Sequence, residues 1–268
     1  MQISSVGIVG FGAFGKLIAT YLRGHFQVYA YDISDRAFAG YRLFDVVAAD
    51  IRTVARCDAV VLAVPVNAIS AAVADIKPYL QPGTIVFDVG SVKATPAMIM
   101  QNELPPYVDI IGTHPLFGPQ SARSGITGLK IALCPIRSSQ FRRVAAFLRR
   151  SFGLKVVVVT PEEHDIETAI TQGLTHLIGR VLIDMEPLPD RLRTASFDLL
   201  MRAADMVRYD SNAVFMAIQR TNPYSAASRA RFIATATALD SLVGNGGTAA
   251  DMDNTAVHME RPHAKRVG

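Results

Sequence analysis

Val6-Gly7-Ile8-Val9-Gly10-Phe11-Gly12-Ala13-Phe14-Gly15 decides how the first half of this chain is read. A short apolar strand runs straight into glycines spaced as GxGxxG, and the amphipathic Lys16-Leu17-Ile18-Ala19-Thr20-Tyr21-Leu22 follows as a helix. Gly10 allows the tight turn, Gly12 lets backbone approach a pyrophosphate, and Gly15 lets helix and strand pack closely. The unpaired N–H groups at the helix start attract phosphate. A second strand, Gln27-Val28-Tyr29-Ala30-Tyr31, ends at Asp32, 22 residues beyond Gly10. A carboxylate at that point accepts a hydrogen bond from a ribose 2′-hydroxyl and repels a 2′-phosphate, so NAD is expected in preference to NADP. Arg36 is near enough in sequence to soften that preference, or it is simply a surface arginine.

Outward from this unit the α/β rhythm continues. Asp58 to Pro65 and Thr84 to Asp88 read as buried parallel strands whose carboxyl ends face the cofactor, which puts Val64 and Pro65 among the cofactor-binding residues with Gly10, Phe11, Gly12, Ala13, Phe14, Gly15 and Asp32. Val89-Gly90-Ser91-Val92-Lys93 then brings a hydroxyl and an amine to the same rim, where Ser91 either serves the site or caps the next helix. The apolar run Val108-Asp109-Ile110-Ile111 is expected to break into a loop, Gly112-Thr113-His114-Pro115-Leu116-Phe117-Gly118-Pro119, held out of helix and sheet by its prolines and glycines. His114 at the centre of that loop is a candidate acid/base, the alternative being a histidine that only hydrogen-bonds the loop. Lys130 to Cys134, a helix around Phe141 to Arg150, and Lys155 to Val159 complete the sheet.

The architecture then changes. Thr160-Pro161-Glu162-Glu163 supplies a cap, a proline in the first turn and an acid three residues on, so a long helix is expected from there to Met185-Glu186-Pro187-Leu188-Pro189. Helical patterns follow at Thr194 to Met206, Ser211 to Gln219 and Pro223 to Val243, with Asn222 as a cap. The expected fold is α/β: a Rossmann-type doubly wound sheet over 1–159, an all-α domain over 160–243, and a polar tail, 244–268, too poor in apolar residues to fold alone. Leu174, Ile178, Val181, Leu182 and Met185 leave more apolar surface than one face of a small domain needs, so the helical part is expected to form a homodimer.

Half of the 268 residues are hydrophobic and 19% are charged, enough for a sizeable core. No apolar stretch approaches the roughly 20 residues of a membrane span and no secretory leader is recognisable, so the expectation is a soluble, cytoplasmic protein without a membrane partner. Cys57 and Cys134 have neither metal nor redox spacing. A net charge of +4 suits an anionic cofactor and an anionic substrate, and no nucleic-acid module is present.

Gly10 to Gly15, Asp88-Val89-Gly90-Ser91-Val92-Lys93 and Gly112 to Pro119 together resemble the prephenate/arogenate dehydrogenases of tyrosine biosynthesis, most of all their short arogenate-type branch, to which Ala195 to Leu200 and Asp210-Ser211 are also similar. The resemblance extends from the N-terminus to about residue 243. It implies a nucleotide-binding domain, a helical domain that dimerises, and an active site in the cleft between them. In this likeness His114 corresponds to the histidine that engages the ring hydroxyl of the substrate and Ser91 to the serine that assists it. His176 matches a histidine near the substrate, and Arg202 takes the place of the substrate-binding arginine, although the glycine-rich segment that precedes it in the better-known branch is missing. The rival readings are a two-domain dehydrogenase of the hydroxyisobutyrate or pyrroline-carboxylate reductase type and a non-catalytic NAD-sensing module. The lysine expected on the long helix of the first is absent from Asp165 to Asp184.

Overall fold

A computed structural model describes residues 3–41 and 45–244, so residues 245–268 of the expected polar tail lie outside the described residues. Its centre is an eight-stranded sheet of β1 (Ser5–Val9), β2 (Gln27–Tyr31), β3 (Val46–Ala48), β4 (Ala59–Leu62), β5 (Ile85–Asp88), β6 (Asp109–Pro115), β7 (Lys130–Arg137) and β8 (Lys155–Val158). The order is β3-β2-β1-β4-β5-β6-β7-β8. Strands β3 to β6 are parallel, β7 runs antiparallel to β6, and β8 runs parallel to β7. The first six strands thus have the doubly wound dinucleotide-binding order, with its switch point between β1 and β4.

Strand residues are apolar on both sides because helices cover both faces. Val9, Val60, Leu62, Val86 and Ile110 pack beneath α2 (Ile51–Ala55), α3 (Ile69–Ile76) and α4 (Ala94–Glu103). The alternate residues Val6, Ile8, Val28, Ala59 and Val61 pack beneath α1 (Ala13–Leu22), and Ile85, Ile111 and Leu133 meet α5 (Phe141–Phe152).

The expected loop at His114 is corrected: β6 continues through His114 to Pro115. Pairing with β5 stops at Asp88 opposite Gly112, but β7 returns alongside and pairs with Thr113, His114 and Pro115. Pro115 is tolerated because the next N–H, that of Leu116, makes the bond to β7, at Lys130 O, 3.0 Å away. The missing proline N–H therefore faces the side where β5 has already ended.

After β8 the elements among the described residues are helical: α6 (Pro161–Thr171), α7 (Gly173–Asp184), α8 (Ala195–Val207), α9 (Asn212–Met216), a π-helical turn at Ala217–Thr221, and α10 (Ser225–Gly244). Thr160 and Glu163 form the expected capping box at the start of α6. The single long helix expected from there is instead two helices broken at Gln172. Thr168, Thr171 and Thr175 each return a hydroxyl bond to the carbonyl four residues back, a pattern that bends helices, and Gly173 adds a weak helix former at the break. The Gly173 carbonyl is taken by the Gln219 side chain at 2.7 Å.

By its contacts the chain divides after Ser225, with Met1–Ser225 as one compact unit and Ala226–Gly268 as a second that contains most of α10. The change from α/β to all-α falls between Val158 and Pro161, inside the first unit. Among the described residues, no helix is long and apolar enough to cross a membrane.

Candidate active site

The turn after β1 has the shape that a dinucleotide needs. Gly10 has φ +96°, and a Cβ there would come within 2.6 Å of the Ala63 carbonyl oxygen. A Cβ on Gly15 would strike the Gly10 carbonyl, whereas one on Gly12 would meet nothing within 4 Å. Helix α1 starts at that open glycine with no side chain capping it, so its first N–H groups remain available to an anion. At the end of β2, Asp32 accepts from Phe11 N at 2.7 Å and Ser34 N at 2.9 Å, one bond to each oxygen. Each carboxylate oxygen thus retains a lone pair for a ribose hydroxyl. These features fit a bound dinucleotide.

Of the other residues expected to line this site, Phe11 contributes backbone, since its buried ring is stacked on Phe38 and met edge-on by Tyr41. Ala13 is exposed at the helix start, and Phe14 is half-buried on its first turn. Val64 lies against the Gly10 turn, and Pro65 leads into a 3-10 turn at Val66–Ala68.

A second group of side chains gathers near the carboxyl ends of β5 and β6. His114 is only 3% exposed and faces His164 of α6, with His114 Nδ1 2.8 Å from His164 Nε2. His164 Nδ1 in turn lies 2.7 Å from Asp165 Oδ1. The Asp165 carboxylate also receives Lys93 N–H at 2.8 Å and Ala94 N–H at 2.9 Å, which caps α4 from a distant helix. Ser91 therefore does not cap α4; it sits half-buried in the turn between β5 and that helix. Lys93 is buried, pairs with the buried Asp88 carboxylate and donates to Thr113 O at 2.7 Å.

The charges of this cluster act on His114 directly. Burial holds its imidazole well below the ordinary value of 6.5, and the neighbouring His164, Lys93 and His176 depress it further. A neutral ring, the form able to accept a proton, is the result. Burial also raises the Asp88 carboxyl, with Lys93 opposing that shift. Cys134, opposite Gly112 on β7, is pushed up to about 12 by burial and has no thiolate to offer near neutral pH.

His176, on α7, is engaged at both ring nitrogens, by Gln172 O at 2.9 Å and by Asp210 Oδ2 at 3.0 Å. It is close enough to contribute to the field at His114. Arg202 is exposed on α8, a helix that packs against α7 and makes no comparable contact with the sheet. The π-helical turn does reach the cofactor side, touching Val66–Ala68, and carries the exposed Arg220.

His164 and Asp165 belong to this cluster although little in the sequence marks them as members of a site. Their only local signal is an adjacent histidine and aspartate just inside a capped helix, and no spacing rule links them to residue 114, which is fifty residues away.

A family model described as "Prephenate dehydrogenase, nucleotide-binding domain" matches residues 18–160. Arogenate dehydrogenase 2 (chloroplastic) of Arabidopsis thaliana is 32% identical over 150 residues, covering 54% of this chain and 42% of its own length. The chain thus spans less than half of that relative. The 4-amino-4-deoxyprephenate dehydrogenase of Streptomyces pristinaespiralis is 29% identical over 245 residues, with 84% of this chain and 79% of that protein covered. Among solved structures, prephenate dehydrogenase from A. aeolicus in complex with hydroxyphenyl propionate and NAD⁺ superposes with a TM-score of 0.73 at 21% identity over 92% of each chain, a likeness of fold.

Removing one partner of a buried ion pair leaves the other uncompensated, at a cost of about 3–5 kcal/mol. Lys93→Met is expected to lower stability by that amount in urea unfolding, and Asp88→Leu added to it should recover part of the loss. A loss below about 1 kcal/mol would mean that Asp88 does not depend on Lys93.

Proposed function

The chain belongs to the prephenate dehydrogenase family, and on that premise we propose that it oxidises a cyclohexadienol carrying a ring carboxylate, prephenate or arogenate or both, with loss of CO₂ and with NAD as the oxidant. His114 is the observation that carries this reading: a buried, neutral imidazole at the carboxyl end of the sheet, held by a partner at Nδ1. The turn from Gly10 to Gly15, Asp32, and Val64-Pro65 would hold the dinucleotide, whose nicotinamide accepts a hydride when bound.

His114 takes the proton of the ring hydroxyl as the carbon that bears it loses hydride. Ser91, on the neighbouring turn, holds that hydroxyl in line. The carbonyl so formed draws electrons from the ring carboxylate, CO₂ departs and the ring becomes aromatic, which makes the reaction effectively irreversible. The protein supplies position and a proton acceptor, the latter worth typically about 10²–10⁴ in rate. His176 is assigned to the substrate side of the cleft and Arg202 to a substrate carboxylate. The contact of its turn with Val66–Ala68 makes Arg220 the second reading for that carboxylate.

Asp32 supports NAD over NADP, because its charge would face a 2′-phosphate. The exposed Val181 (50%) and Met185 (59%) of α7, with Ile166 and Ile170 of α6, support a homodimer through the helical part. Cys57 and Cys134, both buried and unpaired with each other, suit a cytoplasmic enzyme.

With prephenate or arogenate and NAD⁺, His114→Asn should lower kcat by about two to four orders of magnitude with cofactor affinity kept, and Ser91→Ala should cost less. Arg202→Ala should raise KM about ten- to a hundredfold, the cost of a charge-assisted hydrogen bond; the same rise in Arg220→Ala instead would move the role there. The acid limb of the kcat/KM profile should lie below pH 6.5, since His114 stays neutral to lower pH than a free imidazole. Turnover by His114→Asn near that of the unaltered enzyme would sink the mechanism.

Comparison of kcat/KM for the two cofactors should favour NAD⁺, and equal use of NADP⁺ would remove Asp32 from its assigned role. Light scattering should return twice the 29.0 kDa chain mass, whereas a monomer at working concentration would leave the helical face without that partner.

A further inference from the structure

Two backbone N–H groups, those of Lys93 and Ala94, are fixed donors to Asp165, which is fully buried and so must accept from both. The remaining neighbour, His164 Nδ1, shares Oδ1 at 2.7 Å and must likewise bring a hydrogen. While His164 is uncharged, its Nε2 is bare toward His114 Nδ1, 2.8 Å away. In that state one arrangement satisfies the contact: His114 carries its hydrogen on Nδ1.

We propose that Asp165 is a positioning residue which, through His164, fixes His114 as the Nδ1–H tautomer and leaves His114 Nε2 as the lone pair that receives the substrate proton. The inference rests on His114 being the base of the proposed reaction. It also accounts for how a ring held so far below its ordinary value accepts a proton in a buried site. As the proton bonds to His114 Nε2, the hydrogen on His114 Nδ1 passes to His164 Nε2. His114 ends neutral, and the positive charge resides on His164 against the Asp165 carboxylate. One O–H and one N–H bond break, two N–H bonds form, and no charge is left unpaired.

Asp165 has a second attachment that makes the arrangement rigid. Its bonds to Lys93 N–H and Ala94 N–H bind α6 to the start of α4, immediately after the turn that carries Ser91. Asn222 Nδ2 donates to the Asp165 carbonyl at 2.8 Å and so holds the same residue from the π-helical turn.

The test uses the full chain, uniformly ¹⁵N-labelled, at pH 8. Long-range ¹H–¹⁵N spectra, with His114→Asn to assign the ring, should give His114 as Nδ1–H with Nε2 unprotonated. In Asp165→Ala nothing accepts from His164 Nδ1–H, so His164 loses its fixed tautomer and His114 should show a mixture of Nδ1–H and Nε2–H. A loss of kcat of about 10²–10⁴ should accompany the mixture, the range for a positioned base, with KM for NAD⁺ unchanged. His164→Gln, whose amide oxygen can still accept from His114 Nδ1–H but cannot take the proton onward, should keep the His114 tautomer and lower kcat, and it serves if Asp165→Ala does not fold. An Nε2–H tautomer in the unaltered protein, or an unchanged tautomer in folded Asp165→Ala, would overturn the proposal. Spectra as expected in a protein that turns over neither substrate would leave the tautomer assignment standing and refute the proposed reaction instead.

Discussion

The carboxylate of Asp165 is the interaction on which the remainder of the candidate site depends. It is buried on α6, and its three donors come from the start of α4 and from the neighbouring His164. A buried carboxylate is costly unless each oxygen is met by a donor. The packing that buries Asp165 is therefore tenable only when α6 sits on the first turn of α4, and that condition aligns His164 with His114. Helix docking and imidazole orientation are one constraint.

The sheet supplies the rest of the frame. Its strand order reverses between β1 and β4, and the glycine turn opens beside that reversal with Asp32 on the adjoining strand end. The antiparallel return of β7 has a separate effect. By pairing beyond the end of β5, it holds His114 in a strand rather than in a loop. A histidine mounted on a strand and bonded at Nδ1 has little freedom to wander, which suits a group whose distance to a reacting hydroxyl decides the rate.

Charge is concentrated where water is excluded. Lys93 is buried beside Asp88 and bonded to the Thr113 carbonyl, one residue before His114. The pair costs desolvation and, by general experience, adds little net stability. Its positive end also helps keep the His114 ring neutral. On the helical side, Gln219 and Asn222 bind the π-helical turn to Gly173 and Asp165, so that turn is held by two buried amides. Such turns are often found at functional sites.

The doubly wound half was legible from residue order alone, because its signals are local: the glycine spacing requires a particular turn, strand residues buried on both faces read as unbroken apolar runs, and Asp32 follows directly from the end of its strand. The capping box at Thr160 and the change to helices are local in the same sense. Where His114 is held depends on long-range pairing, since the extension of β6 is imposed by β7 and not by the prolines nearby. Packing likewise sets the break at Gln172, where threonine back-bonds and the Gln219 side chain compete with a continuous helix. The partnership of His114 with His164 and Asp165 has no sequence period at all. It exists because two helices and a strand converge on a buried carboxylate that must find donors, and contacts of that kind are set by packing at long range.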